Sequence, residues 1–446
     1  MTLSEINATL KEIRVAPVRS LGQNFLHDQN LGRWIIEQAG VGPDDYVVEV
    51  GPGLGALTEF ILSKGARVLA IEKDARLAQF LTTRFAGSAL EVWHADALDF
   101  DVRTLYTKPR VKFIGNLPYY ISSQLLLKFL NWPSPISLSL FMLQKEMARR
   151  LSAAPQTKDY AALTLQMQLH YRIEYLRSIA ASVFIPRPEV DSAIVRISPR
   201  ASGELPACDT AAFARLVRRG FAQRRKQLGK LLREEIANWA RAADALGLNP
   251  KARAEELSLE QWIALTNYTH PVAPPSRGEA EAECFPVVDE NDRVLGSAPR
   301  GKVHGDNLRH RAVHILIFNG TGEVFLQKRS RWKDRHPLAW DSSAAGHVNA
   351  GEEYDPAATR ELEEELGLRT SLERVVKLPA SDRTGQEFIW LYRGQAEGPF
   401  PFNKTEIEAG GFFPPAMIED WIRARPSDFA PGFVECWKAF REKENA

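Results

Sequence analysis

The first 200 residues alternate short β-branched runs with amphipathic stretches, and this alternation constrains the fold more than any other feature of the sequence. The predicted strands are residues 46–50, 66–71 and 111–114, and the predicted helices between them are residues 57–63 and 75–85. Strands that alternate with helices favour a parallel sheet with right-handed crossovers. We therefore predict an α/β domain at the start of the chain.

A cluster of prolines indicates a linker between two domains. Residues 269–279 contain three prolines and a glycine, a composition that restricts helix and supplies a semi-stiff linker. Residues 201–268 are predicted to be helical throughout. We expect an α/β domain at 1–200, a helical subdomain at 201–268, a linker at 269–279 and a second domain at 280–446.

Charge is divided unevenly between the two parts of the chain. Residues 1–270 contain 34 Lys and Arg against 27 Asp and Glu, a net charge of +7, and the remainder has a net charge of −6. This asymmetry favours a polyanionic partner for the first part. Three scattered cysteines argue against a disulfide framework, and no long apolar run or signal-peptide core is found. We expect a cytoplasmic protein, a monomer without membrane contact.

A glycine-rich loop at residues 48–55 follows the first predicted strand. Glycines allow the backbone to approach a ligand, and the next helix offers oriented N–H groups at its N-terminus. Glu72 ends the second strand, where a carboxylate can accept hydrogen bonds from two ribose hydroxyls. A proline between Gly51 and Gly53 favours S-adenosylmethionine over a dinucleotide. Asp96, after the third strand, is predicted to accept from an adenine amino group, with a helix cap as the alternative.

Residues 115–120, Gly-Asn-Leu-Pro-Tyr-Tyr, follow the fourth strand and fit the methylation of an adenine amine. The Asn116 side chain and the Leu117 carbonyl can hold both N6 hydrogens, so that the nitrogen lone pair faces a sulfonium methyl group. Tyr119 offers a ring for a flipped-out base. No strong general base is needed, and alignment can contribute roughly 7–11 kcal/mol. The alternative is a turn with a buried tyrosine.

These motifs resemble those of the ribosomal RNA small-subunit adenine dimethyltransferase family. The resemblance covers about residues 15–268 and also includes the segments 21–26, 184–192, 221–228 and 255–259. It implies a Rossmann-like methyltransferase with a small helical C-terminal subdomain. The residues that it implies for S-adenosylmethionine binding are Asn24, Leu26, Gly51, Glu72, Asp96 and Asn116, to which the glycine loop adds Gly53.

The same resemblance implies that Tyr119 and Phe184 sandwich the target adenine. The expected reaction is the transfer of two methyl groups to each of two adjacent adenosines in the 3′-terminal hairpin of small-subunit rRNA. Glu189 departs from the lysine usual in the family, which we expect to alter local RNA contacts only. The related family that methylates large-subunit rRNA is the alternative, but it more typically has isoleucine in place of Leu117. A non-enzymatic alternative is a factor that mainly binds immature small subunits.

A basic cluster lies in the predicted helical subdomain. Its members are Arg218, Arg219, Arg224, Arg225, Lys226, Lys230 and Arg233. Such a cluster suits contacts to RNA phosphates, which position RNA without reading its sequence. The alternative is a solvated helix face.

Residues 346–368 match the Nudix pattern G-x5-E-x7-R-E-U-x-E-E-x-G-U at every fixed position. Glu361, Glu364 and Glu365 are spaced i, i+3 and i+4, so their carboxylates share one helix face. Clustered carboxylates suit Mg²⁺ bound to a diphosphate, and the metal can activate a water. We predict that all three bind Mg²⁺, that Glu364 is catalytic and that Arg360 orients the glutamates. This resemblance implies an α/β/α Nudix domain.

The flanks of this motif, residues 283–289, 310–314 and 326–330, resemble the Nudix branch that includes isopentenyl-diphosphate isomerase. That isomerase needs a cysteine where this chain has Ala345. The isomerase also needs a second pair of acidic residues, which is incomplete in this chain because Gly385 stands two residues before Glu387. Hydrolysis of a nucleoside diphosphate derivative is therefore favoured over isomerisation. Binding of nucleotide or RNA without turnover is a further alternative. Three histidines, His304, His310 and His347, could form a second metal site, although each alone is more often structural.

Overall fold

The computed structural model describes residues 1–17, 22–272 and 283–445. The chain divides into two compact units, Met1–Pro271 and Val272–Ala446. Of the predicted linker, residues 273–279 lie outside the described residues, as do Leu21 at the start of the 21–26 motif and residues 280–282 of the second predicted domain.

A seven-stranded sheet forms the centre of the first unit. The strands of this unit are β1 (Phe25–Leu26), β2 (Tyr46–Val50), β3 (Arg67–Glu72), β4 (Leu90–His94), β5 (Val111–Asn116), β6 (Ile136–Gln144), β7 (Tyr171–Ile179), β8 (Phe184–Ile185) and β9 (Ser192–Pro199). The order in the sheet is β4-β3-β2-β5-β6-β9-β7, and β1 pairs with β8 in a separate ribbon. Strands β2 to β6 run parallel to one another, whereas β9 is antiparallel to both β6 and β7.

The parallel part of the sheet is covered on both faces. Every residue of β2 is buried, including Glu49, so this strand lacks the alternation of apolar and polar residues found in a strand with one solvent-facing side. The helices of the unit are α1 (Leu3–Glu12), α2 (Gln29–Gln38), α3 (Thr58–Ser63), α4 (Ala75–Arg84), α5 (Ser122–Phe129), α6 (Lys145–Leu151), α7 (Ala162–Gln168), α8 (Thr210–Gly220), α9 (Leu228–Leu231), α10 (Trp239–Ala245) and α11 (Leu259–Thr269). Helices α8 to α11 share a separate core built around Phe213 and Trp262.

A mixed sheet lies at the centre of the second unit. The strands of this unit are β10 (Cys284–Val288), β11 (Val294–Pro299), β12 (His310–Phe318), β13 (Val324–Arg329), β14 (Trp340–Asp341), β15 (Ala344–His347), β16 (Glu373–Leu378), β17 (Glu387–Gln395) and β18 (Ile407–Phe413). Its helices are α12 (Arg300–Gly305), α13 (Tyr354–Leu366), α14 (Pro415–Ala424) and α15 (Pro431–Glu444). The sheet has the order β14-β13-β12-β17-β16, with β15 added to β12 and β18 added to β13. Strands β12 and β17 are parallel, and β10 pairs with β11 in a separate ribbon.

Helices pack on both faces of this sheet. Alternate residues of β12, Val313 and Ile315, pack in one core with Leu362 of α13. The opposite face is covered by α14 and α15, because Phe440 contacts Phe318 and Trp421 contacts Trp340. The predicted fold, a Rossmann-like domain with a helical subdomain followed by an α/β/α Nudix domain, is confirmed. Within the described ranges, no helix has the length and apolar character needed to cross a membrane.

Candidate active sites

One cleft of the first unit opens at the carboxyl ends of its parallel strands. All seven residues predicted to bind the cofactor line this cleft, namely Asn24, Leu26, Gly51, Gly53, Glu72, Asp96 and Asn116. They converge because β2, β3, β4 and β5 end at the same edge of the sheet, which is where open α/β sheets bind ligands. The cleft encloses about 980 Å³ of empty space, including the solvent at its mouth.

The glycine loop after β2 has a backbone that side chains rarely tolerate. Gly51 and Gly53 have φ angles of 67° and 60°, in the left-handed region. A Cβ atom on Gly53 would also lie 3.0 Å from the ring of Phe25. The loop therefore places backbone N–H groups at the cleft, and the Gly53 N–H donates to Glu72 Oε2 at 3.1 Å.

Glu72 is buried, and it accepts hydrogen bonds from backbone N–H groups. Its Oε1 accepts from the Asp74 N–H at 2.9 Å, in addition to the bond from Gly53. Burial raises the pKa of Glu72, and the backbone donors counteract this only in part. Glu72 lines the cleft at the end of β3, where two hydroxyl groups could donate to its carboxylate.

Asp96 caps a helical turn, which is one of the two predicted alternatives, and it also lines the cleft. Its hydrogen bond to an adenine amino group stays a prediction. Its Oδ1 accepts from the Leu98 N–H at 2.9 Å and caps a 3₁₀ turn. Its Oδ2 accepts from the Lys73 ammonium at 2.7 Å. The hydrogen bond from Lys73 lowers the pKa of Asp96. A ligand amine would therefore share this carboxylate with Lys73.

Asn116 ends β5 with its side chain turned into the cleft. The amide Nδ2 donates to the Asn24 carbonyl at 3.0 Å, which fixes the orientation of the amide. The carbonyl Oδ1 is buried and has no hydrogen-bond partner among the described residues. Leaving a buried acceptor unpaired costs about 1–3 kcal/mol. The arrangement is an acceptor held ready for an external N–H donor.

The other predicted catalytic residues lie around the cleft rather than on its wall. Leu117, Tyr119 and Phe184 are not among the described residues that line it. The Tyr119 hydroxyl shares a 2.6 Å hydrogen bond with Ser192 Oγ, and Phe184 is only 3% exposed within the core of the first unit. The sandwich of an adenine between Tyr119 and Phe184 stays a prediction, and it requires the ring of Phe184 to become accessible.

Sequence reasoning missed Tyr120 and Lys73. Tyr120 lines the same cleft and is 51% exposed, which makes it the more accessible of the two tyrosines in the 115–120 motif. Its position as a second aromatic in that motif was the available signal. Lys73 follows Glu72 directly, so its place at the strand end could also have been predicted.

The basic cluster of the helical subdomain divides into paired and exposed members. Arg219 contacts Glu234 and Glu235, and Arg224 contacts Glu255 at 3.2 Å. These glutamates already neutralise the two arginines. The other members, Arg218, Arg225, Lys226, Lys230 and Arg233, are exposed, as is Arg224 despite its pairing.

A second cleft, in the second unit, contains the predicted metal ligands. Glu361, Glu364 and Glu365 all line it. Arg360 contacts Glu361 at 2.8 Å and Glu364 at 3.2 Å, and it also donates to the His347 carbonyl at 2.9 Å. Burial raises the pKa of Glu361 to about 7. Glu364, at 58% exposure, is the most accessible of the three carboxylates.

Gly346 allows Glu361 to reach this position. A Cβ atom at residue 346 would lie 2.0 Å from Glu361 Cδ and 2.3 Å from each of its carboxylate oxygens. Only glycine therefore fits beneath this carboxylate. Gly367 ends α13 with a φ of 62°, which closes the helix in the left-handed conformation.

Glu365 differs from the other two because the protein already occupies its oxygens. Its Oε2 accepts from Gln327 at 2.9 Å and from the Ala345 N–H at 3.1 Å, and its Oε1 lies 3.4 Å from the Lys333 ammonium. Lys333 also pairs with Glu406. Lys333 lies outside the 346–368 motif, so no local pattern of residues indicates this contact.

The three histidines come together at this cleft, which His304 and His347 line while His310 is buried. The nearest ring nitrogens of His304, His310 and His347 all lie within 4.8 Å of one another. Glu387 Oε1 lies 3.3 Å from His347 Nε2 and 3.6 Å from His310 Nε2. The ring of Phe285 stacks on His347 with a centroid distance of 4.4 Å.

Hydrogen bonds orient two of these histidines. His304 Nδ1 bonds to Asp334 at 3.0 Å, and His310 Nδ1 bonds to the Leu308 carbonyl at 2.8 Å. The opposite nitrogen, Nε2, is buried in both rings and makes no hydrogen bond within the described part of the chain. Acceptors that fix the tautomer in this way are a common feature of metal-binding histidines.

The parallel sheet with its glycine loop defines the first unit as a Rossmann-like methyltransferase, and the mixed sheet with its glutamate helix defines the second as a Nudix domain. Residues 18–270 match the family model for ribosomal RNA adenine dimethylase, and residues 308–433 match that for the NUDIX domain. Because the first match spans more than half of the sequence, the chain belongs to the ribosomal RNA adenine dimethylase family. It is a methyltransferase that carries a Nudix hydrolase domain, as predicted. Its placement in the isomerase-like branch stays a prediction.

Curated relatives support the family assignment. The chain is 37% identical over 270 residues to the ribosomal RNA small subunit methyltransferase A of Geobacillus thermodenitrificans, covering 57% of this chain and 91% of that protein. It is 39% identical over 262 residues to the protein of the same name from Prosthecochloris aestuarii, covering 59% and 97%. The crystal structure of the 23S rRNA methyltransferase ErmE matches at 29% identity and a TM-score of 0.46, covering 55% of this chain and 99% of ErmE.

Proposed function

We propose that the first unit transfers methyl groups from S-adenosylmethionine to N6 of two adjacent adenosines in the 3′-terminal hairpin of small-subunit rRNA. The observation that carries the proposal is the buried, unpartnered Asn116 Oδ1 at the end of β5. Relatives named ribosomal RNA small subunit methyltransferase A, matched over nearly their whole length, support the choice of substrate. The same proposal predicts that the protein acts in the cytoplasm on immature small subunits.

The residues of this cleft fit S-adenosylmethionine. Glu72 offers oxygens to the ribose hydroxyls, and Asp96 offers Oδ2 to the adenine amine. When bound, the cofactor supplies an electrophilic methyl group on a sulfonium, which is a good leaving group. Asn116 Oδ1 and the Leu117 carbonyl would accept the two hydrogens of the target N6, so that its lone pair points at the methyl group. The chain contributes mainly alignment, not base catalysis.

RNA binding is assigned to the exposed part of the basic cluster. Arg225 and Lys226 lie in the turn after α8 and are exposed, and the unit around them has an excess of positive charge. Phosphate contacts from such residues would position the hairpin without reading its bases. Arg218 belongs to the same exposed set, while Arg219 and Arg224 would first have to leave their glutamates.

An Asn116→Ala variant tests the methyltransferase proposal. Removing one pre-aligned hydrogen-bonding group costs about 10²–10³ in rate in comparable sites, so we expect a loss of that size. Methylation of immature small subunits and of large-subunit rRNA would be measured side by side, with Asn7→Ala, an exposed residue of α1, as the control. Methylation of the large-subunit RNA alone, or full activity of Asn116→Ala, would contradict the proposal. If Asn116→Ala is inactive but still supports subunit maturation, binding is the more important role.

We propose that the second unit is a Mg²⁺-dependent hydrolase of a nucleotide-type diphosphate. Three carboxylates on one face of α13 in a single cleft carry this proposal, because hard divalent cations prefer oxygen ligands. When bound, Mg²⁺ neutralises the diphosphate and lowers the pKa of a water. Arg360 would orient Glu361 and Glu364 toward the ion. Ala345 stands where the isomerase needs a cysteine, which disfavours isomerisation.

A panel of nucleoside diphosphate derivatives, assayed with and without Mg²⁺, tests the hydrolase proposal. We expect Mg²⁺-dependent product release that Glu364→Gln lowers by at least about 10²-fold, since misplaced catalytic groups cost that much. Glu363→Gln is the matched control, because Glu363 lies on the same helix but pairs with Arg369 outside the cleft. Binding of nucleotides without release of product would indicate a non-catalytic module instead.

We further propose that His304, His310 and His347 bind a second metal ion, with Glu387 beside them. Imidazole nitrogens suit Zn²⁺ and related transition metals more than Mg²⁺. Zn²⁺ binding, measured by isothermal titration calorimetry, should show one site per chain that His347→Gln removes. His336→Gln is the control because His336 lines the cleft outside this cluster. Equal Zn²⁺ binding by the wild type and His347→Gln would refute the site.

A further inference from the structure

Lys333 places a buried ammonium among the acidic groups of the second cleft. It lies in the segment after β13, with a side chain that is only 15% exposed. Its ammonium contacts Glu406 directly and lies 3.4 Å from Glu365 Oε1. Burial lowers the pKa of Lys333, but Glu365 and Glu406 outweigh this effect and the net pKa is raised. The two carboxylates therefore stabilise the charged form of this side chain.

The Lys333 ammonium pairs with Glu365, a carboxylate that is predicted to bind the metal. Gln327 and the Ala345 N–H donate to Glu365 Oε2, and the Lys333 ammonium donates to Oε1, so both oxygens of Glu365 already accept hydrogen bonds. Glu364, in contrast, is largely exposed. Of the three predicted ligands, Glu365 is the one that the fold closes to an ion.

We infer that Lys333 is an internal counter-ion that holds Glu365 in the empty cleft and releases it to the metal when a diphosphate enters. The inference rests on the proposed hydrolase function and defines a positioning residue for it. A buried carboxylate that loses its cation is strongly destabilised, so a divalent ion must replace the ammonium as it moves to the phosphate. Metal and diphosphate should therefore bind with positive coupling.

Mg²⁺ binding to the full chain without any diphosphate tests this inference. Lys333→Met removes the competing charge, so we expect the Mg²⁺ dissociation constant from isothermal titration calorimetry to fall about tenfold, or about 1.4 kcal/mol. Lys328→Met is the matched control, because Lys328 is a half-buried lysine of β13 whose ammonium lies 5.3 Å from the centroid of the Trp340 ring. Mg²⁺ prefers oxygen ligands, so the histidine cluster does not interfere.

Lys333→Gln is the second variant if Lys333→Met does not fold, as judged by circular dichroism. Its neutral amide can still donate to Glu365 and Glu406. Unchanged or weaker Mg²⁺ binding in the folded variant overturns the inference. Hydrolysis by the wild type and by Glu364→Gln is measured separately. Tighter Mg²⁺ binding by the Lys333 variant, together with no hydrolysis by the wild type, would refute the hydrolase proposal while leaving the Lys333–Glu365 competition in place.

Discussion

The two clefts hold their acidic side chains in opposite ways. In the methyltransferase cleft, Glu72 accepts from backbone N–H groups and Glu49 accepts from the Thr58 hydroxyl at 2.6 Å. In the Nudix cleft, Arg360 contacts Glu361 and Lys333 contacts Glu365. Neutral donors stabilise the first set, and cations of the protein stabilise the second.

This difference matches what each cleft has to receive. Neutral donors leave buried carboxyl groups as acceptors that a ligand with hydroxyl groups can use directly. Carboxylates already paired with cations can bind a metal only by exchange, since an added ion must displace or share an existing partner. If the proposed functions hold, the methyltransferase cleft would be formed before its ligand arrives, whereas the Nudix cleft would have to rearrange its ion pairs.

The largest loss of activity is expected from the substitution Gly346→Ala, which adds one methyl group as a side chain in the Nudix cleft. A Gly346→Ala side chain would overlap Glu361, which must then move away from Arg360. Misplacing such a group by about 1 Å can cost 10²-fold, so we expect hydrolysis to fall at least about that much while rRNA methylation is unchanged. Product release and methyl incorporation would be measured on the same preparation.

Gly301→Ala is the control for that comparison, because Cβ at this position meets nothing within 4 Å. Hydrolysis by Gly346→Ala at the wild-type rate would show that the position of Glu361 is not needed. Loss of methylation as well would show that the two activities depend on each other, which the contrast between the clefts does not predict.

Residues at the ends of strands were easier to predict from the sequence than residues whose contacts join distant segments of the chain. Gly51, Glu72 and Asn116 were found because each directly follows or ends a recognisable strand, and the parallel order of the strands brings them together. Lys333 could not be found in this way, because its contacts with Glu365 and Glu406 depend on the packing of segments far apart in the chain.

The fold shows the same division. The strands that alternate with helices were predicted, but the antiparallel placement of β9 between β6 and β7 was not, because residues 171–199 contain no helix that could signal a crossover. Phe184 has the residue type for base stacking, but its pairing opposite Leu26 buries the ring. A side chain's chemistry can be read from the sequence, whereas its exposure depends on tertiary packing.

A smaller effect should distinguish the clefts by pH. No cation contacts Glu49 in the part of the chain that the structure describes, and burial raises its pKa to about 7. A raised folded pKa stabilises the protein fully below about pH 4.5, and this contribution is lost as the pH rises through about 7. We expect Glu49→Gln to gain about 1–3 kcal/mol over the wild type between pH 5 and pH 8, at about 1.4 kcal/mol per unit.

Hydrogen exchange of peptides from β2, compared between variant and wild type at each pH, measures this difference locally. Glu59→Gln is the control, since Glu59 is an exposed carboxylate on α3 paired with Arg84 at 2.6 Å. Equal pH dependence in Glu49→Gln and the wild type would mean that Glu49 is charged at neutral pH, and the contrast between neutral and cationic partners would not hold.

The smallest effect concerns the ion pair between Lys73 and Asp96 in the methyltransferase cleft. Lys73 occupies Asp96 Oδ2, the oxygen proposed to accept from the adenine amine of the cofactor. Exposed pairs are worth about 0.2–1 kcal/mol, so Lys73→Met should tighten S-adenosylmethionine binding by no more than about fivefold in calorimetry. Lys64→Met, an exposed lysine after α3, should leave the affinity unchanged. Weaker binding in Lys73→Met would show that Lys73 contacts the cofactor instead of competing with it, and the two clefts would then both use protein cations to hold their ligands.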